Sequence, residues 1–192
     1  DLPNEYIGIV PDAQWKKARL NQPWYQGDTI NTSIGQGSFL ATPMQVARDT
    51  AIFAMGYDIT PHFISSIGGV SQEWIGKDIL TQKEKSALKY IREGMYAVAN
   101  VPGGTGFRVL SPSKVTIAAK SGTAQVVGIS QEDKERIKES DMEYYERSHA
   151  WMTGYAPYEN PRYIVTVLVH QRRNAHGSSG LPGCPAHLYP DC

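Results

Sequence analysis

The chain has 192 residues, 41% of them hydrophobic and 20% charged, with 19 basic residues set against 19 acidic ones. That is the size of one soluble globular domain or of part of a larger one, and a net charge of zero gives no global attraction to nucleic acid or to an anionic membrane surface, so nucleic acid is not an expected partner. Eighteen Gly and twelve Pro exceed the roughly 12% of average usage and argue against a simple helical bundle.

Residues 1–40 have little periodicity and several prolines, which predicts a short helix near Trp15 to Leu20 and then an ordered loop through Gly27-Asp28-Thr29-Ile30-Asn31-Thr32-Ser33-Ile34-Gly35-Gln36-Gly37. Thr42-Pro43 starts a helix, Thr as N-cap and Pro at the first position, with Met44, Ala47, Ala51, Ile52 and Met55 at helical spacing and Gly56 as its stop. The segment from Ile59 to Ile67 reads as a strand, turned by Gly68-Gly69. Thr81 and Glu84 form a capping box, and Leu88, Ile91, Met95 and Val98 make the apolar face of a second helix, expected to serve packing and not chemistry. Pro102-Gly103-Gly104-Thr105-Gly106 ends that unit as a flexible connection.

From Val115 the pattern changes to strands: Val115 to Val127, Ala150 to Ala156, and Tyr163 to Val169. Pro157-Tyr158-Glu159-Asn160-Pro161 is turn chemistry, so the last two should pair antiparallel. Helices followed by strands predict an α+β fold, an antiparallel sheet packed by helices. Between the first two strands, 11 of the 18 residues from Ser130 to Arg147 are charged, which reads as a solvated excursion or as a lid over a neighbouring cleft.

Lys120-Ser121-Gly122-Thr123 carries the most chemical information. A lysine flanked by small residues inside a strand has no packing purpose, and glycine in a strand often marks the close approach of a ligand or another backbone. An ammonium group, two hydroxyls and an open backbone can hold a carboxylate and lie alongside an extended peptide. The triplet Lys-Ser-Gly alone is weak, because it arises by chance in roughly one chain in twenty of this length.

Context makes it specific. Lys120-Ser121-Gly122-Thr123-Ala124-Gln125-Val126 resembles the Lys-Thr/Ser-Gly motif of the penicillin-binding transpeptidases. The Gly27 to Gly37 run, Leu40-Ala41-Thr42-Pro43-Met44-Gln45, His149-Ala150-Trp151-Met152-Thr153-Gly154-Tyr155-Ala156-Pro157 and Asn160-Pro161-Arg162 are similar to the class B members that serve cell elongation. The resemblance covers roughly residues 1–170 and implies the C-terminal part of a penicillin-binding, serine β-lactamase-like transpeptidase domain. The implied activity is D,D-transpeptidation, the cross-linking of peptidoglycan stem peptides through an acyl-serine intermediate, with β-lactam antibiotics as acylating inhibitors and no cofactor or metal. It implies catalytic roles for Lys120, in the electrostatics and proton traffic of the cleft, and for Thr123, whose N–H is an oxyanion-hole donor. Ser121 and Thr123 would bind the terminal carboxylate, and Gly122 would keep the strand edge open for substrate. It also implies an inner-membrane protein with its catalytic domain in the periplasm, partnered by the glycosyltransferase and scaffold proteins of the elongation complex. A non-catalytic scaffold module of the same fold and a β-lactam-hydrolysing or sensing relative are the rival readings.

The departures are equally specific. The family's nucleophilic Ser-x-x-Lys and its Ser-x-Asn triplet lie upstream of the lysine motif, and neither precedes Lys120 here. Ser111-Pro112-Ser113-Lys114 matches the first only literally, after a glycine-rich connection, and Tyr158-Glu159-Asn160 imitates the second in a hairpin turn; both are read as decoys, since a nucleophile needs a rigid, packed support. The chain is therefore expected to supply one wall of an active site without its nucleophile, to be unreactive towards penicillin alone, and to leave an apolar face exposed. No window approaches the roughly 18 apolar residues of a membrane span, and Asp1-Leu2-Pro3-Asn4-Glu5 does not resemble a signal peptide, so the chain reads as cut from something longer. Residues 171–192 depart from the family. Pro182, Pro185 and Pro190 forbid a final helix, and an altered tail, such as a frame change, is the expectation. Zinc binding by His176, Cys184, His187 and Cys192 is the weaker rival, as their spacing fits no standard finger. His62 and His149 are expected to be structural, and Trp74, Trp151 and Tyr155 to be core or cleft-wall aromatics.

Overall fold

The computed structural model describes residues 5–73, 75–126 and 141–170. The first helix, α1 (Ala13–Leu20), starts where Asp12 accepts a 2.7 Å bond from the Trp15 N–H and stops at Asn21, whose φ of 52° is left-handed. Helix α3 (Pro43–Met55) begins with the Thr42–Gln45 capping box and Pro43 in the first turn, and ends at Gly56 with φ 85°. Helix α4 (Gln82–Asn100) begins with the Thr81–Glu84 box. These three follow the sequence signals closely.

Two segments differ from expectation. Residues 26–33 are not loop but a helix, α2 (Gln26–Ser33), where the Asp28 carboxylate takes the Tyr25 N–H at 2.7 Å and the Lys16 ammonium at 2.5 Å. Gly, Thr, Asn and Ser have poor helix propensity, so the cap and a bond from α1 override the local preference. The Ile59 to Ile67 strand shrinks to β1 (Ser66–Ile67), paired with β2 (Val70–Ser71) across the Gly68-Gly69 turn. Pro61 has no N–H to give a ladder, and between α3 and β1 the isolated bridge is that of Asp58 to Lys77. The connection after α4 also contains a short helix, α5 (Phe107–Leu110).

The three-stranded antiparallel sheet runs in the order β3 (Ala118–Ala124), β4 (His149–Ala156), β5 (Tyr163–Val169), and β4 and β5 form the expected hairpin. Helices and antiparallel sheet together make the α+β fold. Strand β3 is shorter than the Val115 to Val127 expectation. The register aligns Ala118 with Tyr155 and Ile164, Lys120 with Thr153 and Thr166, and Gly122 with Trp151 and Leu168. Ala54 and Met55 of α3, Met95 of α4 and the row Ala118, Tyr155, Ile164 form the core, joined by Tyr158. Of the stripe on α4, Leu88 and Met95 are buried, each such side chain contributing about 2 kcal/mol, whereas Ile91 is 37% exposed. Asn100 fastens the end of α4 to the entry of β3 by donating to the Ile117 carbonyl at 2.8 Å.

Gly154 lies opposite Ala119, and a Cβ there would stand 2.7 Å from the Ala118 carbonyl oxygen and 3.2 Å from the Ala119 Cβ. Neither neighbour is a flexible side-chain end, so Gly154→Ala must push β3 away from β4. A loss of about 2 kcal/mol is expected in urea unfolding; an unchanged midpoint would show that the strands separate freely at this point.

Candidate active site

Strand β3 is an edge of its sheet among the described residues. Alternation places Lys120 and Gly122 on the pleat face of Thr153 and Trp151, and Ser121 and Thr123 on the other. Because β3 is at the edge, one cleft of about 580 Å³ takes in all four. Its opposite wall is the turn after α2, Ile34 to Gly37, with Phe39 and Leu40. A second groove of about 440 Å³ runs between α3, α4 and the sheet, lined by Val46, Phe53, Ile91, Met95 and Val98. Lys120 and Thr153 line both spaces, so the lysine sits where the cleft meets the groove. Ile91 and Val98, expected as core, line this groove instead.

Lys120 is exposed and its ammonium donates to the Ser121 carbonyl. The Ser121 hydroxyl shares a 2.8 Å bond with that of Thr105, delivered by the glycine-rich connection between α4 and α5. Beneath Lys120 three hydroxyls are linked: Thr50 to Thr153 at 2.7 Å and Thr153 to Thr166 at 2.8 Å. Thr50 gives its own proton to the Val46 carbonyl at 2.7 Å, which makes it the acceptor from Thr153, and Thr153 in turn the acceptor from Thr166. The bonds therefore all point from β5 towards α3. This run of hydroxyls ties α3 to the sheet beside Lys120 through part-buried groups that satisfy one another.

The turn facing β3 is shaped by Gly35 and Gly37, with φ of 73° and 74°, values that glycine tolerates without strain. Between them Gln36 donates through Nε2 to the Thr123 carbonyl at 2.7 Å. Gln36, Thr105, Thr50 and Thr153 had no place among the candidate residues read from sequence. Apart from the Val46 carbonyl that Thr50 bonds within its own helix, their partners lie 13 to 103 positions away, so no local pattern marks them.

Ser111 caps the end of α5, its N–H bonded to the Phe107 carbonyl at 3.0 Å, and neither it nor Asn160 lines the cleft or the groove. His149 lines the cleft and packs edge-on against His170, with centroids 4.8 Å apart. Burial first, and then the neighbouring imidazole, hold its pKa below the ordinary histidine value. His62 bonds through Nδ1 to the Ile64 carbonyl at 3.2 Å, away from the cleft. Trp151 is a cleft-wall aromatic and Tyr155 a core one, its phenol pushed up to about 12 by burial. Trp74, residues 130–140 of the charged excursion, and the tail with its cysteines lie outside the described residues. Among the described residues no group of three or more His, Cys, Asp or Glu could hold a metal, and no helix is long and apolar enough to cross a membrane.

The family model for the penicillin binding protein transpeptidase domain matches residues 1–182. Peptidoglycan D,D-transpeptidase MrdA of Haemophilus influenzae is 38% identical over 185 residues, 93% of this chain and 28% of that protein. MrdA of Escherichia coli K12 is 36% identical over 174 residues, 88% of this chain and 27% of that one. Among solved structures, the complex between penicillin-binding protein PBP2 and MreC from Helicobacter pylori matches with a TM-score of 0.73 and 47% identity, over 88% of this chain and 28% of that one. PBP2 of Pseudomonas aeruginosa in complex with WCK 5153 matches with a TM-score of 0.72 and 31% identity, over 89% of this chain and 35% of that one. The chain thus spans little more than a quarter to a third of the length of these relatives.

Proposed function

This chain belongs to the penicillin-binding protein transpeptidase domain family, and we propose that it forms the lysine-motif wall of a peptidoglycan D,D-transpeptidase whose nucleophile lies on another part of the same protein. The observation that carries the reading is the position of Lys120 at the meeting point of the cleft and the groove. The groove, walled mostly by apolar side chains of α3 and α4 with Asp49 and Thr50 among them, is the seat for the element bearing the nucleophilic serine. From that seat the serine reaches Lys120, whose ammonium stabilises the negative charge of the reacting centre and passes protons during acyl transfer. Substrate enters along the cleft as an extended stem peptide. The Ser121 and Thr123 hydroxyls receive its terminal carboxylate, the Thr123 N–H faces the oxygen on which charge develops, and Gly122 leaves room for backbone approach. A β-lactam uses the same contacts, and no step calls for a metal or cofactor. Residues 1–170 are the C-terminal portion of that domain and 171–192 an atypical tail. The complete protein is anchored in the inner membrane with this domain in the periplasm, beside the glycosyltransferase and scaffold proteins of the elongation complex.

Labelling the full-length protein with a fluorescent penicillin tests this. A stable covalent adduct is expected, while the 192-residue chain alone should take no label. A full-length protein that takes no label would point to a non-catalytic module, and rapid turnover of the adduct to a hydrolase.

A further inference from the structure

One contact on the outer edge of β3 has no part in the roles above. Gln36 donates from Nε2 to the Thr123 carbonyl at 2.7 Å, and the Gln125 N–H reaches its Oε1 at 3.5 Å, the first bond being the firm one. In an antiparallel ladder each residue turns its N–H and C=O to one side and the next residue to the other. Gln36 engages the Thr123 carbonyl from outside the sheet, so by alternation the outward groups belong to Ser121 and Thr123 and, just past the end of β3, to Gln125. A parallel neighbouring strand would meet this edge through one residue that donates to the carbonyl of one β3 residue and accepts from the N–H two residues on. One carboxamide does both, at Thr123 and Gln125.

Gln36 thus stands in for a single residue of a partner strand. Its carrier is firm: the turn follows α2, tied to α1 by Lys16 and Asp28 at 2.5 Å, and Leu40 beyond it pairs with Ile9 through bonds of 2.8 and 2.9 Å.

We propose that Gln36 is a positioning residue that closes the β3 edge from the Thr123 carbonyl to the Gln125 N–H, leaving the Thr123 N–H open, and so sets the register in which an extended donor peptide lies along the strand. The inference rests on the transpeptidase reading. An uncovered edge would accept the same peptide two residues further along, a slip of about 7 Å that carries the reacting carbonyl away from the Thr123 N–H. With Gln125 covered, the peptide stops where its carbonyl meets that donor. A compact bicyclic β-lactam has no extended backbone to slip, so its dependence on Gln36 is smaller.

The experiment compares the full-length wild type with Gln36→Ala and the near-isosteric Gln36→Met, using single-turnover acylation by a synthetic stem-peptide thioester and by a fluorescent penicillin. Both variants should lose about tenfold in the limiting acylation rate with the peptide, with a several-fold smaller loss with penicillin and little change in apparent dissociation constant or melting temperature. Equal losses for both donors, wild-type rates in both variants, or faster acylation, which would make Gln36 a competitor for the edge, would each overturn the proposal. A variant that melts much lower is set aside in favour of the other, and collapse of both would show Gln36 to be structural and overturn it too. A wild type that takes no label from either donor overturns the transpeptidase reading and this proposal with it, whereas a labelled wild type with unaffected variants overturns this proposal alone.

Discussion

Replacing Lys120 by alanine in the full-length protein is expected to slow acylation by a fluorescent penicillin about a thousandfold, the equivalent of about 4 kcal/mol of transition-state stabilisation, with the melting temperature unchanged. The side chain is exposed and its one described bond is to the carbonyl of its own neighbour, so little packing depends on it. Its location between cleft and groove is what the substitution removes. Lys120→Arg restores the charge but not the compact, rotatable ammonium, nor a group that can release a proton, and should recover only a small part of the rate. Acylation at the wild-type rate in Lys120→Ala would take this residue out of the mechanism. A parallel fall in melting temperature would mean that the strand itself had been disturbed.

The second large effect concerns stability. Asp58 is 5% exposed and accepts two bonds from Arg48, 2.6 Å from Nε and 2.5 Å from Nη2. Its backbone pairs with Lys77 at 2.9 and 2.7 Å, which fastens the segment after α3 to the segment before α4. Asp58→Asn keeps the shape and removes the charge; about 3 kcal/mol of unfolding free energy is expected to be lost at pH 7, at the low end for a buried pair because the Arg48 side chain is 40% exposed and can rehydrate. The hydrogen bonds from Arg48 hold the Asp58 carboxyl below its ordinary value. A depressed carboxylate pKa contributes stability that is complete above the unfolded value, near pH 4, and is lost as the pH falls through the lower folded value. The difference between wild type and Asp58→Asn, read from urea melts, should therefore be widest at neutral pH and shrink below about pH 4. A difference independent of pH would assign the effect to packing instead.

Helices α3 and α4 could be read from residues in one turn of each, Thr42-Pro43 for the first and the Thr81–Glu84 box for the second, since such caps satisfy or spare the first N–H groups whatever the rest of the chain does. Strands β4 and β5 were equally legible because turn chemistry and alternation agree there. Helix α2 was not, because its stability comes from Lys16 reaching Asp28 from another helix. The same holds for the site. Lys120 to Thr123 stood out through their neighbours in sequence, but the hydroxyl chain needs the register of three strands and a helix before Thr50, Thr153 and Thr166 come together. Gln36 could be read only as part of a glycine-rich run. The flanking glycines announce a turn, not the strand 87 residues away that the turn serves.

Strand β5 has a consequence of another kind. Its Ile164 and Thr166 face the helices, while Tyr163, Val165, Val167 and Val169 turn outward and are 42% to 65% exposed. The groove between α3 and α4 is apolar too, and opens on the helical side. These two sticky surfaces are unlike and lie on different sides, so copies of the isolated chain joined one surface to the other would not close into a two-fold pair. Each addition would leave a fresh surface of each kind, and growth would be open-ended. Sedimentation of the 192-residue chain should accordingly show a broad distribution that lengthens with concentration and has no plateau at the dimer.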